Sequence, residues 1–496
     1  MNRRRALGKW ALAAATLLAL SSCGSALPLS KIAEAAHGNE SRSGSTAVGV
    51  GSVTGPGGSV GGGTSPLGPA SGPTSSNGSG GGTGSGGQIG SSGAKAGSGS
   101  GGSESPTASS GATGGTNGTG GISSGAGGGD HTPILVGSVG DYSGAPGAVL
   151  AYEPETLQVW AKWENAHGGV DGHPIQVIVE DDGGNPSTYQ SDIEDLVNNK
   201  HVLAFVDNGA NLTAQAGESF LDSKQIPVIG AGDGNSAWTT NQMYFNLQAA
   251  TDALIGGELL EAKNTFHVTK VADLACVESQ ACTSYYNDSP RLAAALGMQV
   301  VYSAHISITQ PDFTSECLQA QSNGAQVVEG IGDENTFHRI VESCLRQGYH
   351  PDWIAPSPND GDSQVSGLTN VVGANGAFPF DGDATSPAVA EYVRAFKTYA
   401  PGSILSQYTA LSWAAAKLFQ HVIDTSIGTS VPTTPKILAG LWAIKNFDVN
   451  GLELPLTYNA HTANAGTTST CWFGLIFQNN RWNALNGLTP MCDSRV

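Results

Sequence analysis

Residues 156–186 read TLQVWAKWENAHGGVDGHPIQVIVEDDGGNP, and the order of patterns in this stretch decides the fold class. Thr156 to Ala166 spaces its apolar side chains as one face of a helix, and Gly168, Gly169 and Gly172 supply a helix end and a tight turn. Ile175 to Val179 is then a short β-rich run ending in Glu180-Asp181-Asp182, and Asn185-Pro186 opens the next helical segment. The glycines are structural in this reading, and the two aspartates are a solvated strand end in preference to an acid pair or a metal site.

The same alternation extends on both sides. Ile134 to Gly137 is an apolar strand, and Ser187 to Asn198 is helical. Val202 to Val206 and Ile226 to Ile229 flank a further helical segment, Thr213 to Ser223. It resumes with strands at Val268 to Leu274, Gln299 to Tyr302, Val327 to Gly330 and Asp352 to Ala355, and helices through Arg291 to Leu296, Phe313 to Ser322 and Thr336 to Gln347. Repeated βα units imply an α/β protein of parallel sheets with helices on both faces. The 366 residues from His131 exceed what one hydrophobic core usually serves, so two domains are expected. In such sheets, ligands bind outside the carboxyl ends of the strands.

Asn165-Ala166-His167-Gly168-Gly169-Val170-Asp171-Gly172, with the acidic strand end and Asn185-Pro186 at this spacing, resembles the signature of type I periplasmic binding proteins of the branched-chain amino acid ABC transporter class. Tyr142-Ser143-Gly144 is similar to that family's first ligand loop, Ile226 to Gly230 to the strand before the second, and Gly451 to Trp482 to its closing β-rich segment. The resemblance implies two Rossmann-like lobes in a Venus-flytrap arrangement, 131–250 with 376–440 and 251–375 with 441–496, joined by a three-crossover hinge. It further implies a monomer that closes on a small polar solute, such as an amino acid, and hands it to an ABC permease, with no cofactor and no metal. A tethered sensor or surface lipoprotein of the same fold, without a permease, is the alternative.

Matched residue by residue, the resemblance assigns Tyr142 and Ser143 to the first ligand loop. Asn211 stands where amino acid binders place a Ser for the ligand carboxylate, and Asp233 and Gly234 where small residues are followed by Thr. The family's ligand-facing Tyr falls near Cys282. Asp333 and Glu334 follow a second-lobe strand, and Ser357 and Asn359 match the loop that often supplies an acid for an ammonium. With Asp360 these acids make the cleft rim negative, which favours cationic or zwitterionic solutes or polyols over dianions.

Composition separates the rest of the chain. From Ser41 to Asp130, 34 residues are Gly and 21 are Ser, with no aromatic, so this stretch cannot offset its ordering entropy by burial. It reads as a disordered tether, 41–130, spanning roughly 50 Å as a flexible coil. The residues from His131 onward carry 37 acidic against 15 basic side chains, which excludes a nucleic-acid-binding role and adsorption of this part onto anionic lipid. At the start, Arg3, Arg4, Arg5 and Lys9 precede a short apolar run closed by Leu20-Ser21-Ser22-Cys23. That is a secretory signal over 1–22, and its end resembles a lipobox, which would make Cys23 the lipidated first residue of 23–40 and anchor an extracytoplasmic protein to the cell membrane.

The other six cysteines are even in number in an exported chain, so they read as disulfides. Fifteen pairings are open to six cysteines. Sequence order suggests Cys276 with Cys282, Cys317 with Cys344 and Cys471 with Cys492. A hydrolase would need a nucleophile and a His base on a strand-to-helix elbow, which is not found, and the Gly230 and Gly332 loops lack the third glycine of a dinucleotide fingerprint. No enzyme activity is expected. Replacing Cys23 by Ser should release the protein from membranes or block its maturation, read by membrane fractionation; unchanged retention would remove the lipid anchor from the account.

Overall fold

The computed structural model describes residues 132–496, apart from 145–146, 148–149, 231–234, 381–385, 429 and 463–469. The leader, Cys23, the 41–130 tract, and Asp233 with Gly234 lie outside the described residues. All elements below belong to one compact unit, Ala126–Val496. Among the described residues no helix is long and apolar enough to cross a membrane.

The first lobe opens with strand β1 (Ile134–Gly140), helix α1 (Tyr152–Ala166), β2 (Ile175–Asp181), α2 (Pro186–Asn198) and β3 (Ala204–Val206). It continues with α3 (Glu218–Lys224), β4 (Val228–Gly230), α4 (Ala237–Thr240) and β5 (Tyr244–Asn246). These strands form a parallel sheet in the order β2-β1-β3-β4-β5. The second lobe begins with α5 (Thr251–Phe266), β6 (Lys270–Cys276), α6 (Gln280–Ala295), β7 (Gln299–Ile306), α7 (Thr314–Ser322), β8 (Val327–Ile331), α8 (Glu334–Arg346), β9 (Asp352–Ile354) and β10 (Val371–Asn375). The chain then gives α9 (Pro387–Tyr399), α10 (Gln407–Val422), α11 (Thr434–Ala443) and the short pair β11 (Lys445–Phe447) and β12 (Leu456–Thr457). It ends with β13 (Cys471–Gln478), β14 (Arg481–Ala484) and β15 (Met491–Cys492). The second sheet runs β14-β13-β10-β9-β8-β6-β7, with β15 also on β13. Its strands from β10 to β7 are parallel, and β13 runs antiparallel to β10.

The α1–β2 junction shows why its sequence reads as it does. Gly169 has φ +82°, and a Cβ there would sit 2.4 Å from His173 O, so both conformation and space require glycine. Asn165 then latches the helix end to the strand: its Nδ2 donates to Ile175 O at 2.9 Å and its Oδ1 accepts from Ile175 N at 2.7 Å. Asp182 departs from the expected solvated strand end. It is buried and accepts from Thr213 Oγ1 at 2.7 Å, because the loop after β3 folds over it.

Helices α9 and α10 return to the first lobe and pack on α1, with α10 also against β3 and β4. Lys417 of α10 pins the three together, its Nζ 3.1 Å from Glu164 of α1 and 3.0 Å from Glu391 of α9. Helix α5 belongs to the second lobe, packing on β9, β10, β13 and α6. Three connections therefore pass between the lobes, and they lie side by side. A Cβ on Gly376 would come 2.6 Å from Ala249 N, and Phe378 N donates to Leu452 O at 3.0 Å.

The three disulfides join Cys276–Cys282, Cys317–Cys344 and Cys471–Cys492. The second ties α7 to α8, and the third ties β13 to β15. Replacing Cys317 and Cys344 together by Ala should lower the unfolding free energy by about 2–4 kcal/mol, since a loop of this size is no longer closed in the unfolded chain. Chemical denaturation of the double variant against the parent measures it.

Candidate functional site

A cavity of about 350 Å³ lies where the carboxyl ends of the two sheets meet. Its wall takes residues from the loops at the strand ends, Asp141 after β1, Asn211 after β3, Ser236 after β4, Gln248 after β5, Glu278 after β6, Ile308 after β7, Asp333 after β8 and Ser357 after β9, and from helices α5, α6 and α10. Ala249 and Thr251 place the first interlobe connection against the same space.

On the first-lobe side, Asp141 is fully buried. Its Oδ2 accepts from Leu212 N at 2.8 Å and its Oδ1 from Thr213 Oγ1 at 3.2 Å. Burial, and then the charge of Asp182, push its carboxyl up to about 7. Asp207, with φ +56°, accepts a hydrogen bond from Ser412 Oγ, and burial pushes it up to about 7 as well. Tyr142 does not line the cavity. Its hydroxyl meets Ser138 Oγ at 2.6 Å and accepts from Gly209 N at 3.2 Å, so it braces the loop after β3. Ser143 is exposed and away from the cavity. Asn211 does line it.

On the second-lobe side, the Cys276–Cys282 bridge closes the turn that carries Glu278 and Ser279. Glu278 accepts from Ser307 Oγ at 2.6 Å, Ile308 N at 3.2 Å and Val277 N at 3.1 Å. Ser279 caps α6, accepting from Cys282 N at 3.2 Å, and Tyr285, one turn further on, faces the cavity where the resemblance places a Tyr near Cys282. Asp333 lines the cavity and caps α8 through Thr336 N at 3.1 Å and Thr336 Oγ1 at 2.7 Å.

Glu334 turns away from the cavity, its Oε1 4.0 Å from His338 Nε2, and burial pushes it up to about 7 against the lowering effect of His338. Asn359 is a cap: its Oδ1 accepts from Gly361 N at 2.7 Å and its Nδ2 donates to Ser357 O at 3.0 Å, while Asp362 bonds its backbone N–H at 3.2 Å. Ser357 stays on the cavity wall, 3.3 Å from Tyr408 Oη of the other lobe.

Further direct bonds cross the cleft. Ser236 N donates to Gln280 Oε1 at 3.0 Å, and Gln407 Nε2 donates to Pro356 O at 3.0 Å. Sequence reasoning missed these residues together with Asp141, Tyr408 and Glu258. Glu258 carries a signal in retrospect, being an acid inside the apolar run Ala253 to Leu260; it is 1% exposed and lines the cavity. Among the described residues no three His, Cys, Asp or Glu side chains are placed to hold a metal ion.

Comparison with known proteins agrees with this architecture. The family described as periplasmic binding protein matches residues 133–478. No curated protein matches the chain. A solved substrate-binding periplasmic protein from Ralstonia solanacearum is similar over 73% of this chain and 100% of its own, with TM-score 0.60 and 17% identity. A possible leucine/isoleucine/valine-binding protein from Rhodopirellula baltica aligns over 72% of this chain and 97% of its own, with TM-score 0.61 and 17% identity. An ABC transporter solute binding protein from R. palustris, solved with benzoate, aligns over 73% and 99%, with TM-score 0.60 and 14% identity. At these identities the likeness establishes the fold.

The buried acids set a pH dependence with a definite sign. Asp141, Asp207, Asp273 and Glu334 are each raised to about 7, so the fold binds their protons more tightly than the unfolded chain. Their contribution is present below the ordinary carboxylate range and is lost as pH rises through about 7. The thermal midpoint of the unliganded protein should therefore fall between about pH 5 and pH 8. Asp273→Asn should raise stability at pH 8 by about 1 kcal/mol or more and flatten the profile, since one pKa unit is about 1.4 kcal/mol. An unchanged profile in the variant would show that Asp273 carries its charge at no cost.

Proposed function

The chain belongs to the periplasmic binding protein family, and from that membership we propose that it captures a small polar solute, an amino acid or related compound, between its lobes for an ABC permease. Lipid on Cys23 holds it at the outer face of the membrane in this reading, and the 41–130 tract gives it reach. Binding, with hinge closure as the output, is its activity. The observation that carries the proposal is the cavity itself, walled by both sheets' carboxyl ends and bridged by Ser236 and Gln280.

Closure works as a shift of population. A solute that touches one lobe stabilises open and closed forms alike, whereas one that touches both adds its interlobe contacts only to the closed form. Among the residues the family resemblance assigns, Asn211, Asp333 and Ser357 are proposed to touch the solute, with Gln280 and Tyr408 completing the closed cleft. Tyr142, Glu334 and Asn359 hold the loops in place. The adjacent connections at Ala249, Gly376 and Leu452 supply the hinge.

Calorimetry and thermal shift against amino acids, amines, polyols and small carboxylates test the reading; saturable one-to-one binding by one solute class is expected, and no binding by any class would contradict it. Gln280→Ala, which removes one interlobe bond, should weaken that affinity by roughly three- to tenfold, a loss of about 1 kcal/mol, with little change in the stability of the unliganded fold.

A further inference from the structure

Resting on the binding-protein reading above, we infer that the solute is an uncharged carboxamide with a small apolar body, held at its polar end by the side-chain amide of Gln248 and the first turn of α6. Gln248 belongs to the first interlobe connection, is 5% exposed and lines the cavity, yet its Oε1 has no hydrogen-bond partner among the described residues. A buried carbonyl left without a donor is costly, so this side chain calls for an N–H or O–H from the solute. Its place is fixed before any solute arrives. The Gln248 N–H donates to Asn246 Oδ1 at 2.9 Å, and a Cβ on Gly376 would lie 3.3 Å from Gln248 Cγ, so the stem packs on the second connection. A bond formed here ties the solute to the hinge itself.

The second-lobe wall supplies the matching donors. Helix α6 runs for 16 residues, and Ser279, Gln280 and Ala281 at its start all line the cavity. Ser279 Oγ accepts from Cys282 N, whereas among the described residues no carboxylate accepts from Gln280 N or Ala281 N. The helix itself offers these first-turn N–H groups no acceptor. They suit a carbonyl oxygen. One carboxamide carries both halves, the oxygen for α6 and the N–H for Gln248.

Charge decides between a carboxamide and the ionised groups that could use the same bonds. Among the described residues the cavity is lined by no Lys, Arg or His, while Asp141, Glu258, Glu278 and Asp333 line it, so a carboxylate would enter a negative site without a countercharge. A bare ammonium fares little better. Both oxygens of Asp141, of Glu278 and of Asp333 already accept from the chain, and Glu258 is 1% exposed with an interaction of its own. Neutral amides and hydroxyls, Asn211, Thr251 and Ser284 among them, make up much of the remaining polar wall. Leu150, Leu212, Leu254, Ile308 and Ile331 supply its apolar part, which suits a branched hydrocarbon body better than a polyol.

Calorimetry on the full chain at about pH 7 tests this with 4-methylpentanamide and three charged compounds of the same skeleton: 4-methylpentylamine, 4-methylpentanoate and leucine. The amide should bind at least tenfold more tightly than any of the three. Gln248→Leu should weaken amide binding roughly tenfold, while the thermal midpoint of the unliganded protein holds or rises because no buried acceptor is left unpaired. Should that variant fail to fold, the unaltered protein supplies a second readout: methyl 4-methylpentanoate, which keeps the carbonyl and lacks the N–H, should bind at least tenfold more weakly than the amide. A charged compound bound as tightly as the amide, an ester bound as tightly as the amide, unchanged amide affinity in folded Gln248→Leu, or no saturable binding of the amide would each overturn the inference. Saturable binding of a charged solute would do so while leaving the binding-protein reading intact; no saturable binding of any solute class would overturn both.

Discussion

Parallel strand pairing is the constraint on which the rest of this molecule depends. Because β1 to β5 run the same way, all five carboxyl ends lie on one edge of their sheet, and every strand must lead into a crossover that covers a face. The second sheet repeats the arrangement from β6 to β10. Setting the two edges opposite each other brings the loops after the strands into one cavity, with the inner strands β3, β4, β8 and β10 buried along their length. The antiparallel strands β13, β14 and β15 are added at the far edge, where the Cys471–Cys492 bridge holds them away from the cleft. The cavity is thus walled by short loops held between rigid elements and by residues of α5, α6 and α10.

Electrostatics inside that frame is one-sided. Asp141, Glu258, Glu278 and Asp333 line the cavity, and the folded part has more than twice as many acidic as basic side chains. In the first lobe Asp141 and Asp207 are satisfied by Leu212, Thr213 and Ser412, so their burial fixes loop geometry. In the second lobe Asp273 and Glu329 are buried with too few donors, an arrangement that lowers the stability of the unliganded fold at neutral pH.

Much of the fold is legible in the sequence because its signals are local. Asn165, Gly168 and Gly169 act within a ten-residue turn, and the disulfides join cysteines that fall on adjoining elements. The candidate site is less legible, for a reason that lies in the parallel architecture. The loop after each strand is also the N-terminus of the next helix, and capping uses the same short polar side chains as ligand binding. Asp333 lines the cavity while capping α8, and Asn359 caps its helical turn instead of facing the cavity. Asp182 reads as solvated because nothing in its neighbourhood announces Thr213, which reaches it from the next strand's loop. Glu258 is hidden by its surroundings: within the stretch Ala253 to Leu260, which is otherwise apolar, only the tertiary structure reveals that this acid meets the cavity.

The central claim is that one solute engages both lobes and closes them on the hinge. Amide hydrogen exchange of the full chain, with and without a saturating solute, measures this most directly because it reads each lobe separately. Added protection should appear together in the 236–250 segment of the first lobe and in the 276–285 and 356–360 segments of the second, with the outer helices α2 and α7 unchanged. Protection confined to one lobe, or none at saturation, would contradict closure around a shared ligand.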